Sequence, residues 1–284
     1  MTPNVRGALW MFGMVVSLSL LAIAARELGD RHNPMELQVV RHGISLLILL
    51  PFMARAGFRP MRTNNLKLQL FRNLSHFAAT IGWYAAVTML PLAEVFAIEF
   101  TTPVWVALLA VLFLGEKMNT GRVVALGLGI AGILVILRPG FAEVGTGTWI
   151  MIGAALGFAV ANASTKRLTG TDSVLTVLFW MSALQGTMAL VGVASLGWTA
   201  PSGAELPWLV IVGLMGLAAH FSLAKALKLA DVSLVNPVDF LRLPLIAVVA
   251  FFAYGESVHI LVLVGAAMIF AGNYFAIRRE SRGP

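Results

Sequence analysis

Four ionisable side chains stand deep inside otherwise apolar stretches of the chain: Arg41, Glu99, Asp239 and Arg242. A charge in lipid is costly, so such residues face a partner or a cavity. Guanidinium groups grip carboxylates and carboxylates hold amines, so this set suits an anionic or zwitterionic, amino-acid-like molecule. Prolines follow both acids within the same stretches. Pro103 leaves the carbonyl of Glu99 without its helical donor, and Pro244 does the same to Phe240, beside Asp239. Backbone polarity freed at that depth needs a cavity or neighbouring protein to satisfy it. Pro103 and Pro244 are therefore the expected gating positions.

A second set runs at a spacing of four: Arg72, His76, Thr80 and Tyr84, with Trp83 beside it. A polar stripe of this kind suits a water-accessible wall, and interhelical hydrogen bonds suit it equally well. Arg72 is expected to snorkel to the interface. Ser17, Asn162 and Gln185 are further polar residues, of a kind that usually bonds to neighbouring helices. The expected binding residues are thus Arg41, Glu99, Asp239, Arg242, His76, Thr80, Trp83, Tyr84 and His220. Arg41 and Glu99 lie at a similar depth, about 10 Å from the same edge at a helical rise of ~1.5 Å per residue, so they are expected to pair.

The elements that must position these residues are hydrophobic throughout. The 284 residues are 59% hydrophobic and 12% charged, with a mean hydropathy of +0.87. Water-soluble domains carry far more charge than this, and lipid tolerates the composition. Ten apolar stretches are expected to cross a membrane: 6–26, 35–54, 68–89, 92–114, 121–138, 147–166, 174–196, 206–228, 233–254 and 258–278. Each is long enough to span a hydrocarbon core of ~30 Å. The stretch after MTPNVRGALW reads as a retained first helix rather than a cleaved leader. With ten crossings, fifteen Lys and Arg residues fall at one set of helix ends and loops, including Arg55, Arg59, Arg62, Lys117, Lys228 and Arg282. Three, Arg26, Arg31 and Arg138, fall at the other. That asymmetry places both termini in the cytoplasm, and it explains the net charge of +7 without any nucleic acid.

One internal offset, 140 residues, aligns the chain with itself. It pairs Glu99–Phe100 with Asp239–Phe240, Gly115–Glu116 with Gly255–Glu256, Arg26 with Lys166, Thr80 with His220 and Gly132 with Gly272. Five helices per half is an odd number, so the second half enters from the opposite face. The fold class is therefore an all-α membrane protein of two inverted five-helix repeats, 1–140 and 141–284, with the substrate near the midplane. GLGIAG (127–132) and GAAMIFAG (265–272) suit close packing of two helices against each other or against a second subunit in a homodimer, and GxxxG at 153–157 reads the same way. Trp149, Trp198 and Trp208 fall near helix ends, as interfacial aromatics do.

Other classes fit less well. The absence of cysteine excludes disulfides, thiolate metal sites and a cysteine nucleophile. Acids spread one per site are too sparse for a divalent ion, and no HExxH, GxSxG or Walker loop is present, which leaves a membrane-embedded enzyme as a weak alternative. No cofactor is implied. A channel is a further alternative, although buried charges within a repeat suit a gated site better than an open pore.

PLAEVFAIEFTTPVWVALLAVLFLGEKM at 91–118 and SLVNPVDFLRLPLIAVVAFFAYGES at 233–257 resemble the EamA family of the drug/metabolite transporter superfamily, as does the whole ten-helix pattern. The resemblance implies an inner-membrane secondary transporter of small organic metabolites that works by alternating access. Many members export, and export is the leading expectation. The alternative is an importer or exchanger of a vitamin or nucleoside-type metabolite such as S-adenosylmethionine or riboflavin.

Overall fold

A computed structural model describes residues 2–114, 120–138, 144–168, 170–230 and 238–280, and every regular element in it is helical. The helices are α1 (Pro3–Leu28), α2 (Pro34–Arg55), α3 (Leu66–Met89), α4 (Leu92–Glu99), α5 (Thr102–Leu114), α6 (Thr120–Leu137), α7 (Thr146–Leu168), α8 (Val174–Leu196), α9 (Leu206–Leu229), α10 (Arg242–Tyr254) and α11 (Ile260–Glu280). Their starts follow from local chemistry. Thr2, Asn33, Asn65 and Ser173 each accept a hydrogen bond from a backbone N–H in the first turn of α1, α2, α3 and α8. Pro3 and Pro34 occupy first-turn positions where no N–H is needed.

Eight segments are long and apolar enough to cross a membrane, by length and composition, among the described residues. Two of the ten expected spans do not reach that standard. One is α3, whose buried face carries Gln69, Arg72, Asn73, His76 and Thr80. The other is the 233–254 stretch, where residues 238–239 are helical, 240–241 form a turn and α10 is a short apolar helix. The expected helix over 92–114 is likewise broken at residues 100–101 into α4 and α5.

Both breaks lie where proline removes a donor. The carbonyl of Glu99, freed by Pro103, accepts from the Thr102 hydroxyl at 2.6 Å, and Thr101 Oγ1 donates to the carbonyl of Ile98 at 2.7 Å. The carbonyl of Phe240, freed by Pro244, accepts from the Leu243 N–H at 3.2 Å. The chain therefore satisfies this backbone internally through a tightened turn.

Packing joins α1 to α9, α3 to α7, α2 to α8 and α9, α4 to α10, and α6 to α11. The last pair is the closest. A Cβ on Gly132 would stand 2.6 Å from the carbonyl oxygen of Gly265, and one on Gly265 would stand 2.5 Å from that of Gly132. The glycine-rich helices thus pack on each other. In the 153–157 motif only Gly157 is in close contact, against Ala79 of α3, whereas Gly153 faces open space. Trp149 and Trp198 are exposed at helix ends, while Trp208 packs on the core.

The bundle is fastened at both ends. At the end where α1 finishes, Arg26 meets Glu256 at 2.9 Å and donates to the carbonyl of Leu90, while Glu256 accepts from the N–H of Leu92 at 2.8 Å. Tyr254 donates to Glu27 at 2.8 Å. Beside this knot His32 Nδ1 lies 2.7 Å from Glu36 and its Nε2 lies 3.6 Å from Glu205. At the end where α1 starts, Asp172 accepts from the Thr63 hydroxyl, from the N–H of Asn64 at 3.1 Å and from the Gln69 amide at 2.9 Å. Residues Gly115–Glu116, Lys117 and Arg282, and the side chain of Lys228, lie outside the described set.

Candidate functional site

A cavity of ≈ 300 Å³ lies where the two broken helices meet α1, α3, α7, α9 and α11. Its volume is at the lower end of ordinary small-molecule sites, roughly 300–1,000 Å³. Eight of the nine expected binding residues line it: Arg41, His76, Thr80, Trp83, Glu99, His220, Asp239 and Arg242. Pro103 lines it as well, whereas Pro244 does not, nor does Tyr84. Tyr84 belongs to the core and borders a smaller hollow among α1, α2 and α3.

The expected Arg41–Glu99 pair does not form. Glu99 is held by Arg242, whose Nη1 donates to Oε1 at 2.9 Å, and by the Trp83 indole, which donates to Oε2 at 2.7 Å. Arg242 also donates through Nη2 to Asp239 at 3.3 Å, and its guanidinium lies over the rings of Phe96 and Phe100 at 4.8 and 5.1 Å. Two carboxylates therefore share one guanidinium and leave this end of the cavity with a formal excess of one negative charge. Equal depth was a sound reading, but depth does not say which way around the helix a side chain points.

Arg41 finds a different partner. Its Nη2 lies 3.2 Å from His220 Nε2. Arginine can only donate, so the histidine nitrogen accepts and the His220 ring is neutral with its proton on Nδ1. Arg41 is almost wholly buried and makes no ion pair among the described residues. Its end of the cavity is positive.

Behind it lies a buried polar network, anchored by Arg72. Rather than snorkelling, Arg72 is 4% exposed and donates to Asn73 Oδ1 at 2.8 Å and to Thr165 Oγ1 at 3.1 Å. Because Arg72 only donates, the Asn73 oxygen must face it, and Gln185 donates its amide to the same oxygen at 2.8 Å. The Gln185 oxygen then faces His76 Nδ1 at 3.2 Å, which carries the proton. His76 Nε2 is left as an acceptor, on a ring that lines the cavity. One arginine thus fixes the tautomer of a cavity histidine two side chains away. The spacing of the α3 stripe pointed to Arg72, His76 and Thr80, but not to Gln69, Asn73 or their partners on α7 and α8. Of the other polar candidates, Ser17 bonds back to the carbonyl of Gly13 at 2.7 Å, and Asn162 lines the cavity.

Sequence reasoning also missed an aromatic wall. Phe100 and Phe240 lie with ring centroids 4.5 Å apart, Phe240 and Phe270 likewise, and Phe270 stacks on Tyr274 at 5.9 Å. The 140-residue offset had already paired Phe100 with Phe240, which was the available signal. Phe158 closes on His76 edge to face.

The sequence profile of the EamA-like transporter family matches residues 5–138 and again residues 145–278. The chain belongs to that family. The EamA-like chain is 30% identical over 282 residues to a riboflavin transporter of Rhizobium johnstonii, covering 97% of this chain and 92% of that protein. It is 29% identical to an S-adenosylmethionine uptake transporter of Rickettsia felis, covering 96% and 92%. A riboflavin transporter of Vibrio cholerae is 27% identical, covering 98% and 94%. A solved crystal structure shares the fold with a TM-score of 0.69 at 17% identity, over 97% of this chain and 98% of that one. This EamA-like protein is a multi-pass transporter of the bacterial inner membrane.

Proposed function

We propose that the protein is a secondary carrier that takes up a small heterocyclic metabolite by alternating access. The cavity between two broken helices carries this reading, because it sets charged and aromatic side chains around a space of ligand size. The names of the relatives favour uptake, the alternative of the sequence reading, over the export that led it. Their named substrates, S-adenosylmethionine and riboflavin, are the first two molecules to test here.

In this proposal the helices make ten crossings, counting α4–α5 and the segment ending in α10 as one each, with both termini in the cytoplasm. The halves 1–140 and 141–284 are inverted copies. What supports the inversion is that a shift of 140 residues carries the bounds of α3 onto those of α9, and those of α5 onto those of α10. The same shift turns the α1–α9 contact into the α7–α3 contact.

Purified protein reconstituted in liposomes should take up labelled S-adenosylmethionine or riboflavin with saturation, and internal unlabelled substrate should accelerate entry. Conductance without saturation, or no flux of either compound above protein-free liposomes, would defeat the proposal.

A further inference from the structure

We propose that the cavity is built to read a zwitterion in one orientation, with the carboxylate of the transported molecule on Arg41 and its cationic centre against Glu99 and Asp239. The inference rests on the reading of this cavity as the substrate site and names the chemical class that fills it.

Charge placement carries the argument. Arg41 and Arg242 looked equivalent in the sequence, yet only one is available to a ligand. The Arg242 guanidinium is engaged by two carboxylates and two aromatic rings. Arg41 has a neutral histidine as its hydrogen-bond partner and no acid among the described residues. A buried guanidinium without a counter-charge is costly, and an incoming carboxylate removes that cost with charge-assisted hydrogen bonds. Nothing else in this region offsets it, because the second buried guanidinium, Arg72, is also bonded only to neutral groups.

The opposite pole has the reverse deficit. Glu99 and Asp239 together exceed Arg242 by one negative charge, and Asp239 Oδ1 is buried without a hydrogen bond although Arg242 Nε lies 3.3 Å away. A sulfonium or ammonium centre would supply the missing positive charge, with the Phe100 and Phe240 rings beside it to add cation–π attraction. A neutral ring system gains neither pole, and a simple anion or cation gains one and leaves the other uncompensated. The site therefore favours an amino-acid-bearing onium compound over a neutral flavin-type one.

The test is a binding matrix on detergent-purified full-length protein, using labelled S-adenosylmethionine as the probe. The competitors are its decarboxylated form, which lacks the anion, S-adenosylhomocysteine, which lacks the sulfonium, and riboflavin. Each deleted charge is expected to weaken binding roughly ten- to hundredfold, the size of a lost charge-assisted hydrogen bond. Arg41→Met should weaken the probe by the same factor yet leave the decarboxylated form unchanged. Asp239→Asn should do the corresponding thing for the sulfonium, and Arg41→Lys should recover part of the first loss. An Arg41→Met variant that weakens both forms equally overturns the inference, as does wild-type protein that prefers riboflavin or binds none of the four. An intact matrix with no flux in liposomes would leave the orientation standing and remove the uptake reading instead.

Discussion

The two ends of the bundle are closed by clasps that occupy corresponding places and use different chemistry. His32 and Asp172 are 140 residues apart, and each sits in the short turn that follows a long helix, α1 or α7. Each reaches across to another turn, Asp172 to Thr63 and Asn64 ahead of α3, and His32 towards Glu205 ahead of α9. Asp172 is a single anion surrounded by neutral donors. Burial by itself would raise its carboxyl, but the bonds from Thr63, Asn64 and Gln69 outweigh that and hold it below the ordinary aspartate value. His32 instead stands among carboxylates, with Glu36 also accepting from the N–H of Thr199 at 2.7 Å and Glu205 from Ser202 and Arg31. One clasp is an anion held by dipoles, the other a histidine held by anions. Equivalent positions in the two halves have thus kept a mechanical task while changing its electrostatics.

The sharpest way to break this comparison is to remove the centre of the simpler clasp. Asp172→Ala leaves the Thr63 hydroxyl, the Asn64 N–H and the wholly buried Gln69 amide without their acceptor. A buried donor left unpaired costs about 1–3 kcal/mol, and bonds to a charged acceptor are at the strong end of that range. The expected loss is about 3 kcal/mol, seen as a lower Tm of the protein in detergent. A Tm within a degree of wild type would show that the clasp fastens nothing.

His32→Asp tests the other end and has a smaller expected effect, about 1–2 kcal/mol at neutral pH. It sets a third carboxylate beside Glu36 and Glu205, with Arg31 the cation in contact with Glu205. Crowded carboxylates bind protons more readily folded than unfolded, so the stability of this variant should rise as pH falls from 8 to 5. A Tm series that stays flat or falls over that interval would mean that the three acids do not sense one another.

These clasps also mark what the sequence could and could not reveal. Helix positions were legible because lipid demands long apolar runs, and the breaks near Pro103 and Pro244 were legible because proline removes a specific donor. The pairing of Arg242 with Asp239 lay within one helical turn, and Glu99 joined them through the broken helices. Arg41 turned to His220 instead because partner choice depends on rotation about the helix axis, which depth does not encode. Asp172, Gln69 and Asn73 were passed over for a related reason. Each is an ordinary polar residue on its own segment, and its meaning comes from a segment about a hundred residues distant.

The pH dependence of the Asp172 clasp refines the contrast. Its carboxyl titrates lower in the folded protein than in the unfolded chain, so its contribution is complete above the ordinary aspartate value of 3.8 and is lost as pH falls through the lower folded value. The stability gap between wild type and Asp172→Asn should therefore be constant from pH 8 to pH 5 and narrow only below about 4. A gap that already narrows between pH 7 and 5 would assign the clasp to a different titrating group.

Glu205→Gln should have the smallest effect. The Glu205 carboxyl is pulled down to about 2, first by the Ser202 N–H, then by its hydroxyl, with Arg31 and His32 adding less against the opposing effect of burial. An amide oxygen still accepts both Ser202 bonds, so what the variant loses is chiefly the attraction to Arg31, whose side chain is 56% exposed. Exposed pairs of this kind contribute about 0–1 kcal/mol and are screened by salt. The variant should unfold within a degree or two of wild type, and the difference should vanish in high salt. A larger loss that persists in salt would show that Glu205 acts through His32 rather than through Arg31, which would make the histidine the true centre of its clasp.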